Sequence, residues 1–377
     1  MNQTTPEIEH AKSAGLRYVD DSVPGIRRKR TRTGFAYLDP NGKAIADETE
    51  LARIRSLAIP PAYEDVWICP APNGHVQATA RDAKGRKQYR YHKRWREVRD
   101  ANKYSETIAF AQALPALRER VARDLAKNDM SRENILATVV RMLEETLVRI
   151  GNESYAQANE SFGLTTLRTR HVRVEGEKRI RLRFKGKSGV EHLVTIEDRR
   201  LARTIKRCRD LPGEVLFSYL DDAGEAHPVS SEDVNAYVRE AMGGDFTAKD
   251  FRTWNATVIC ACALERAEPV TSQAQVKQQL TVAVTETARK LGNTAAVCRK
   301  SYVHPAVIET YLDELSLALP RTRARDTPNG LSTEELRVLA FLKAHAKRDA
   351  GATRLKLLER SVAAARRKPA RSLRASA

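Results

Sequence analysis

Residues 131–151 read SRENILATVVRMLEETLVRIG, and apolar residues recur in this run at helical spacing. Ser131 is suited to cap the start of a helix, and Glu133 favours its first turn. Gly151 is the residue expected to end it. The stretch predicts an apolar helix at the centre of a helical domain.

Strand-like alternation follows in residues 171–196, which read HVRVEGEKRIRLRFKGKSGVEHLVTI. Apolar residues occupy every second position over three short runs, and Gly176 and Gly189 stand at the turns between them. Helical patterns resume afterwards and extend to about Ala346. The sequence therefore predicts a three-stranded antiparallel insert within a helical domain.

The N-terminal part has a different pattern, with short alternating runs from Gly25 to His92 and the turn signals Asn41-Gly42 and Asn73-Gly74. The predicted fold class is α+β: a small, mostly β N-terminal domain followed by a mainly α-helical domain with a three-stranded antiparallel insert. The expected divisions are a flexible leader (1–20), a β-rich domain (21–104), a helical domain (105–346) and a basic tail (347–377).

The formal net charge of +18 is the strongest compositional signal. A basic excess of this size indicates a polyanionic partner, and both nucleic acid and an anionic membrane fit. From Phe341 onward, eleven Lys or Arg stand against two acidic residues, which is half of the excess. The other half is spread through the body of the chain, so the tail alone does not explain it.

Other compositional features narrow the class of protein. No apolar run approaches the roughly 18 residues that a membrane span needs, and the polar N-terminus does not have the plan of a signal peptide. We therefore expect a cytoplasmic protein. The five cysteines are scattered and odd in number, which argues against a disulfide framework and against a zinc site.

Five polar residues stand out by their positions in well-formed surroundings: Arg149, Lys187, Arg252, Asn293 and Tyr302. Each also has an ordinary structural interpretation when it is taken singly. The arginines suit surface positions at helix ends, Lys187 a solvated turn, and Asn293 a helix C-cap. Tyr302 is one of eleven tyrosines.

Their order and spacing carry more information. The chain from Gly25 to Pro305 resembles the type IB DNA topoisomerases, in the small form found in poxviruses and bacteria. Five stretches carry the resemblance: IPPAY (59–63), DAKGRKQYRY (82–91), RIGNESYAQANESFGLTTLRTRH (149–171), KDFRT (249–253) and GNTAAVCRKSY (292–302). Each would be weak alone, and together, in this order, they are specific.

The resemblance implies a role for each residue. Tyr302 is the nucleophile and leaves a 3′-phosphotyrosyl enzyme with a free 5′ hydroxyl. Arg149 and Arg252 hold the nonbridging phosphate oxygens, and Lys187 protonates the departing 5′ oxygen. Asn293 stands where the poxvirus pattern has His; an amide can donate one hydrogen bond but cannot transfer a proton, so we expect it only to stabilise charge.

Cleavage of a phosphodiester bond calls for residues of these types, independently of the resemblance. Donors aimed at the charge that develops in the transition state are usually the largest catalytic contribution. The guanidinium fork matches phosphate oxygens and stays charged, so no metal or other cofactor is expected. A 5′ alkoxide leaves poorly, and a positioned acid such as Lys187 assists it.

Duplex DNA is the expected partner, held by a monomer that closes around it. Residues 84–96 alternate basic and aromatic side chains, a combination suited to phosphates, sugars and bases. The predicted DNA contacts are Lys87, Gln88, Tyr89 and Tyr91 there, and Asn152 and Tyr155 on the short helix predicted after Arg149, where core packing is the other interpretation of Tyr155.

Two other functions remain open at this stage. A tyrosine recombinase shares the nucleophile, but usually has His three residues before the second arginine, where this chain has Lys249. A non-catalytic basic DNA-binding protein would explain the charge, but not the five candidate residues.

Overall fold

The computed structural model describes residues 6–83, 85–270, 272–322 and 330–366. The chain divides into two compact units, with the boundary between Ser105 and Glu106. No described helix is long and apolar enough to cross a membrane.

The N-terminal unit is built on a five-stranded antiparallel sheet in the order β2-β1-β3-β4-β5. Its elements are α1 (Pro6–Ser13), β1 (Ile26–Thr31), β2 (Gly34–Leu38), α2 (Glu48–Ser56), β3 (Glu64–Ile68), β4 (Val76–Arg81), β5 (Lys87–Tyr91) and the first part of α3 (Lys93–Ala126). Ile54 of α2 is buried with Ile26, Ile68 and Ala78 of the sheet, so this helix covers one face of the sheet.

The structure describes residues 6–20 of the expected leader, and part of this stretch packs within the N-terminal unit. Ala11, Ala14 and Leu16 are buried around Trp95. The backbone N–H of Arg17 donates to Asn73 O at 2.9 Å, and that of His75 donates to Arg17 O at 2.8 Å. The polar composition of this stretch did not reveal that three apolar side chains in it pack on one indole ring.

The second unit is mainly helical and contains the predicted three-stranded antiparallel sheet, in the order β6-β7-β8. Beyond the rest of α3, its elements are α4 (Arg132–Thr146), α5 (Glu153–Asn159), β6 (Val172–Glu175), β7 (Arg179–Lys185), β8 (Glu191–Glu197), α6 (Arg199–Arg209), β9 (Ser218–Leu220), β10 (Ala226–Pro228), α7 (Ser231–Met242), α8 (Ala248–Glu265), α9 (Gln273–Leu291), α10 (Ala295–Ser301), α11 (Pro305–Glu314) and α12 (Thr333–Arg366). The predicted fold class is confirmed.

Helix α4 ends earlier than the sequence suggested. Its last residue is Thr146, and Leu147 adopts a left-handed conformation with φ 55°. The carbonyl of Leu147 thereby accepts a hydrogen bond from the buried guanidinium of Arg252. The assignment of Gly151 as the helix end was wrong, because the left-handed Leu147, held by this tertiary contact, ends the helix at Thr146, five residues before the glycine.

The chain beyond α11 returns to the core through α12. The carboxylate of Glu335, 7% exposed, accepts hydrogen bonds from Trp254 Nε1 at 3.0 Å and from Arg118 at 2.8 Å. Phe341 and Leu342 are buried as well. The helix runs on to Arg366, into the predicted basic tail, and residues 367–377 lie outside the described part of the chain.

Candidate active site

A cleft of about 350 Å³ opens on the second unit. Four of the five predicted catalytic residues line it, and they come from separate segments: Arg149, Lys187, Arg252 and Tyr302. Two predicted DNA contacts, Asn152 and Tyr155, line it too. Tyr155 is only half-buried, so it is not a core side chain.

Arg149 is placed by the irregular chain after α4. The carbonyl of Arg149 accepts from Leu164 N at 2.9 Å, and that of Ile150 accepts from Thr165 N at 2.7 Å. Gly151 and Gly163 make this approach possible, because a Cβ on Gly163 would lie 2.4 Å from Gly151 N and 2.5 Å from Arg149 O. Hydrogen bonds between two backbone segments therefore fix the main chain at Arg149.

Arg252 lies in the first turns of α8, where the Asp250 carboxylate accepts from the backbone N–H and the hydroxyl of Thr247. Its side chain is 3% exposed. The guanidinium donates to Leu147 O, and to Leu291 O at 2.8 Å. Burial and the nearby charge of Arg149 lower the pKa of Arg252, but a guanidinium remains protonated in proteins.

Tyr302 follows the last residue of α10, and its backbone N–H donates to Cys298 O at 3.0 Å. The hydroxyl of Thr257, on α8, contacts the backbone on both sides of it: Thr257 Oγ1 donates to Tyr302 O at 3.3 Å and accepts from His304 N at 3.1 Å. The position of the tyrosine is therefore tied to the helix that carries Arg252.

The charge around Tyr302 favours its ionised form. Burial acts to raise the pKa of the Tyr302 hydroxyl, but Arg252, Arg149 and Lys249 outweigh it. Arg252 contributes a hydrogen bond as well as charge, and its guanidinium carbon lies 5.2 Å from the ring centroid. The net result is a pKa below the ordinary value of 10.0, which makes the phenol oxygen a better nucleophile near neutral pH.

Asn293 does not line the cleft, but it is bonded to a residue that does. The backbone N–H of Asn293 donates to Ala288 O at 2.9 Å, after the left-handed Gly292 ends α9. Its amide oxygen accepts a hydrogen bond from Arg149. Its Nδ2 is buried and, among the described residues, has no hydrogen-bond partner; the same holds for Nε of Arg252. These are two buried donors beside the cleft.

Lys187 lies in the turn between β7 and β8, and Lys185 is the last residue of β7, opposite Glu191. Ser188 and Gly189 have positive φ, 66° and 75°, which closes the turn tightly. Lys185 lines a different hollow, together with Arg170 and Glu191. Only one of the two lysines therefore faces the cleft.

The predicted DNA contacts on β5 do not form one surface. Residues two apart on a strand share a face, so Lys87, Tyr89 and Tyr91 lie opposite Gln88. Tyr89 is 46% exposed and stacks on Tyr91, with ring centroids 5.8 Å apart. Lys87 pairs with Asp21 at 2.7 Å, and Tyr91 also packs against the cluster around Trp95. Tyr89 is the most available of the four.

One functional candidate was missed by the sequence reasoning. Lys249 lines the cleft and is one of the cations that lower the pKa of Tyr302. In the sequence analysis, Lys249 was used only to distinguish topoisomerases from recombinases. Its position three residues before Arg252, near the start of a helix, was a usable signal, since residues three apart on a helix are neighbours.

A cationic cleft that holds one tyrosine of lowered pKa is what an enzyme needs to form a bond between tyrosine and a DNA phosphate. Comparisons with known proteins agree with an enzyme of this kind. Residues 92–323 match the family described as "Eukaryotic DNA topoisomerase I, catalytic core". Residues 34–82 match "Bacterial DNA topoisomerase IB, N-terminal domain".

Individual relatives give the same result. The chain is 33% identical over 296 residues to DNA topoisomerase 1B of Acanthamoeba polyphaga mimivirus, which covers 77% of this chain and 88% of the relative. It is 22% identical over 236 residues to DNA topoisomerase 1B of Vaccinia virus, which covers 62% of this chain and 71% of the relative. The chain belongs to the type IB DNA topoisomerase family, and the resemblance seen in its sequence is confirmed.

Proposed function

We propose that this protein relaxes supercoiled duplex DNA by cutting one strand, letting the free end swivel and resealing it. The oxygen of Tyr302 attacks the phosphorus, the bond from phosphorus to the 5′ oxygen breaks, and a 3′-phosphotyrosyl enzyme forms. The 5′ oxygen takes a proton from Lys187, and the tyrosine proton passes to solvent. Resealing reverses each step, so the energy of the phosphodiester bond is retained and no ATP is used.

The observation that carries this proposal is the pair of buried donors beside the cleft. Nε of Arg252 and Nδ2 of Asn293 are costly to bury unpaired, and a phosphate oxygen that enters the cleft is the acceptor they lack. Arg149 holds the amide of Asn293 by its oxygen, so the NH₂ group is left for the phosphate. In this scheme Arg149 and Arg252 neutralise the phosphate, and Asn293 adds one uncharged hydrogen bond.

Strand cleavage and relaxation are expected to proceed in EDTA and without ATP. The reason is that Arg149 and Arg252 supply the positive charge that a metal ion provides in other phosphoryl-transfer sites. Plasmid relaxation, followed on agarose gels over time, measures this. A strict requirement for a divalent ion in the cleavage step would contradict the scheme. Mild stimulation would not, because cations also help to release DNA.

Lys187→Ala is expected to cleave an ordinary strand very slowly, and to recover most of its rate when sulfur replaces the bridging 5′ oxygen. A thiol has a pKa of about 8.5, far below that of an alcohol, so the thiolate leaves without an acid. Single-turnover cleavage of the two matched strands measures the rescue. Lys185→Ala is the control and should cleave both strands like the wild type; rescue of Lys185→Ala and not of Lys187→Ala would move the acid to the other lysine.

The segment from Lys347 onward is expected to add affinity for DNA and no chemistry. It holds ten Lys or Arg against two acidic residues and none of the cleft residues. Each phosphate contact adds about 0.9 to the slope of log affinity against log salt. A chain that ends at Ala346 keeps the buried Phe341 and Leu342 and should show a flatter slope while still cutting DNA at low salt. An unchanged slope would show that the tail does not contact DNA.

A further inference from the structure

His192 lies on β8, directly opposite Phe184 of β7. The two rings are stacked, with centroids 5.0 Å apart and an interplanar angle of 6°. Burial, followed by the charges of Arg149 and Arg252, lowers the pKa of His192. The ring is therefore a neutral, rigid plate close to the catalytic arginines, although it does not line the cleft.

Two glycines press against this ring from different elements. A Cβ on Gly186 would lie 2.5 Å from His192 Nε2, and a Cβ on Gly292 would lie 2.6 Å from His192 Cε1. Gly186 has an ordinary φ of −94°, so closeness to the ring, not backbone conformation, requires a glycine there. Gly186 directly precedes Lys187, and Gly292 directly precedes Asn293.

Two backbone hydrogen bonds shape the turn from within the hairpin, and a third ties its base to another segment, since Phe162 N donates to Lys185 O at 2.7 Å. Gly186 N donates to Val190 O at 2.8 Å, and Gly189 N donates to Gly186 O at 3.1 Å. None of these bonds joins the turn to the end of α9. The imidazole lies against both backbones, since Gly186 approaches its Nε2 and Cδ2 and Gly292 approaches its Cε1.

We propose that His192 is a positioning residue, whose imidazole is the spacer that sets Lys187 and Asn293 at their working separation across the phosphate. This inference rests on the proposed roles of Lys187 as proton donor and Asn293 as phosphate ligand. A stacked aromatic plate suits the task, because it resists compression and its ring orientation is fixed by Phe184.

His192→Ala is the first test, with single-turnover cleavage of an ordinary strand and of a strand with sulfur in place of the bridging 5′ oxygen. A misplacement of about 1 Å can cost on the order of 10²-fold in rate. We therefore expect cleavage of the ordinary strand to slow by roughly that factor, with noncovalent DNA affinity unchanged. Sulfur should restore a large part of the loss, because the proton from Lys187 is no longer needed.

The matched control is His227→Ala, which removes a histidine from another hairpin, where it pairs with Asp221 at 2.8 Å. It should cleave both strands at the wild-type rate. An equal loss on both strands in His192→Ala would overturn the inference, because the lysine would then not be the group displaced. Wild-type cleavage of the ordinary strand by a folded His192→Ala would overturn it too. A thermal melt of each variant shows that it is folded at the assay temperature.

The contact itself can be tested in a double-mutant cycle with Gly186→Ala. In the wild-type background the added methyl group collides with the imidazole, so cleavage should slow. In the His192→Ala background the ring is gone and the same methyl group should cost little, which makes the two effects non-additive. Additive losses would mean that the ring does not set the position of the turn, even if His192→Ala alone is unstable.

Failure of this inference can be distinguished from failure of the proposed function. Lys187→Ala is assayed on the same two strands. If sulfur does not rescue that variant, the assignment of the acid fails first. If sulfur rescues Lys187→Ala and not His192→Ala, only the positioning role of His192 is wrong.

Discussion

Replacement of Tyr302 by phenylalanine is expected to abolish the covalent complex with DNA while DNA binding stays nearly normal. The change removes one oxygen, the atom proposed to bond to phosphorus, and leaves the ring that lies over Arg252. SDS-trapped protein–DNA adducts should fall below detection, and supercoiled plasmid should stay supercoiled. Gel-shift titration at one stated salt concentration measures the binding.

Tyr155→Phe is the matched control, because Tyr155 lines the same cleft and its loss of a hydroxyl is chemically identical. That variant should still trap covalently on DNA. If Tyr302→Phe still forms a trapped adduct and the double variant with Tyr155→Phe does not, the nucleophile is Tyr155 and the assignment of Tyr302 is wrong.

Arg252→Ala is expected to combine a large catalytic loss with a measurable loss of stability. Removal of a single charge-stabilising donor typically costs about 10²–10³-fold in rate, and here the pKa of Tyr302 would also rise toward its ordinary value because its chief cation is gone. Two buried carbonyls, those of Leu147 and Leu291, would lose their donor. Each unpaired buried group costs about 1–3 kcal/mol, so the midpoint of urea unfolding should fall.

Arg266→Ala supplies the comparison, because Arg266 is an exposed arginine at the other end of α8. It should change neither cleavage nor the urea midpoint. Arg252→Lys keeps the charge but not the fork, and should recover little, since an ammonium group cannot reach two carbonyls and a phosphate with the same geometry. Full activity in Arg252→Lys would argue that charge alone is needed there.

The sequence predicted secondary structure correctly where a local residue pattern determines it. The β6-β7-β8 insert was predictable because its alternation extends over three runs. The two candidate lysines differ in position, because Lys185 is the last residue of β7 and Lys187 lies in the turn that follows. The hairpin of β9 and β10 was not predicted. Its strands have three residues each, too few for a period to be visible.

Tertiary contacts account for what the sequence did not reveal. The end of α4 at Thr146 depends on a hydrogen bond between Leu147 and Arg252, which are 105 positions apart. The orientation of Asn293 depends on Arg149, 144 positions earlier. The sequence identified these residues as candidates, but local propensity holds no information about which amide atom of Asn293 bonds to Arg149.

The double attachment of Arg252 has a consequence for the newborn chain. Its guanidinium is held by carbonyls that come from both sides of it in sequence, at Leu147 and Leu291, and translation delivers the N-terminal part first. A polypeptide still on the ribosome thus exposes its basic N-terminal segments before both contacts of Arg252 can form. Prematurely terminated products that stop before residue 291 lack both Leu291 and Tyr302, so under the proposed scheme errors of synthesis yield no chain that can form the covalent bond to DNA.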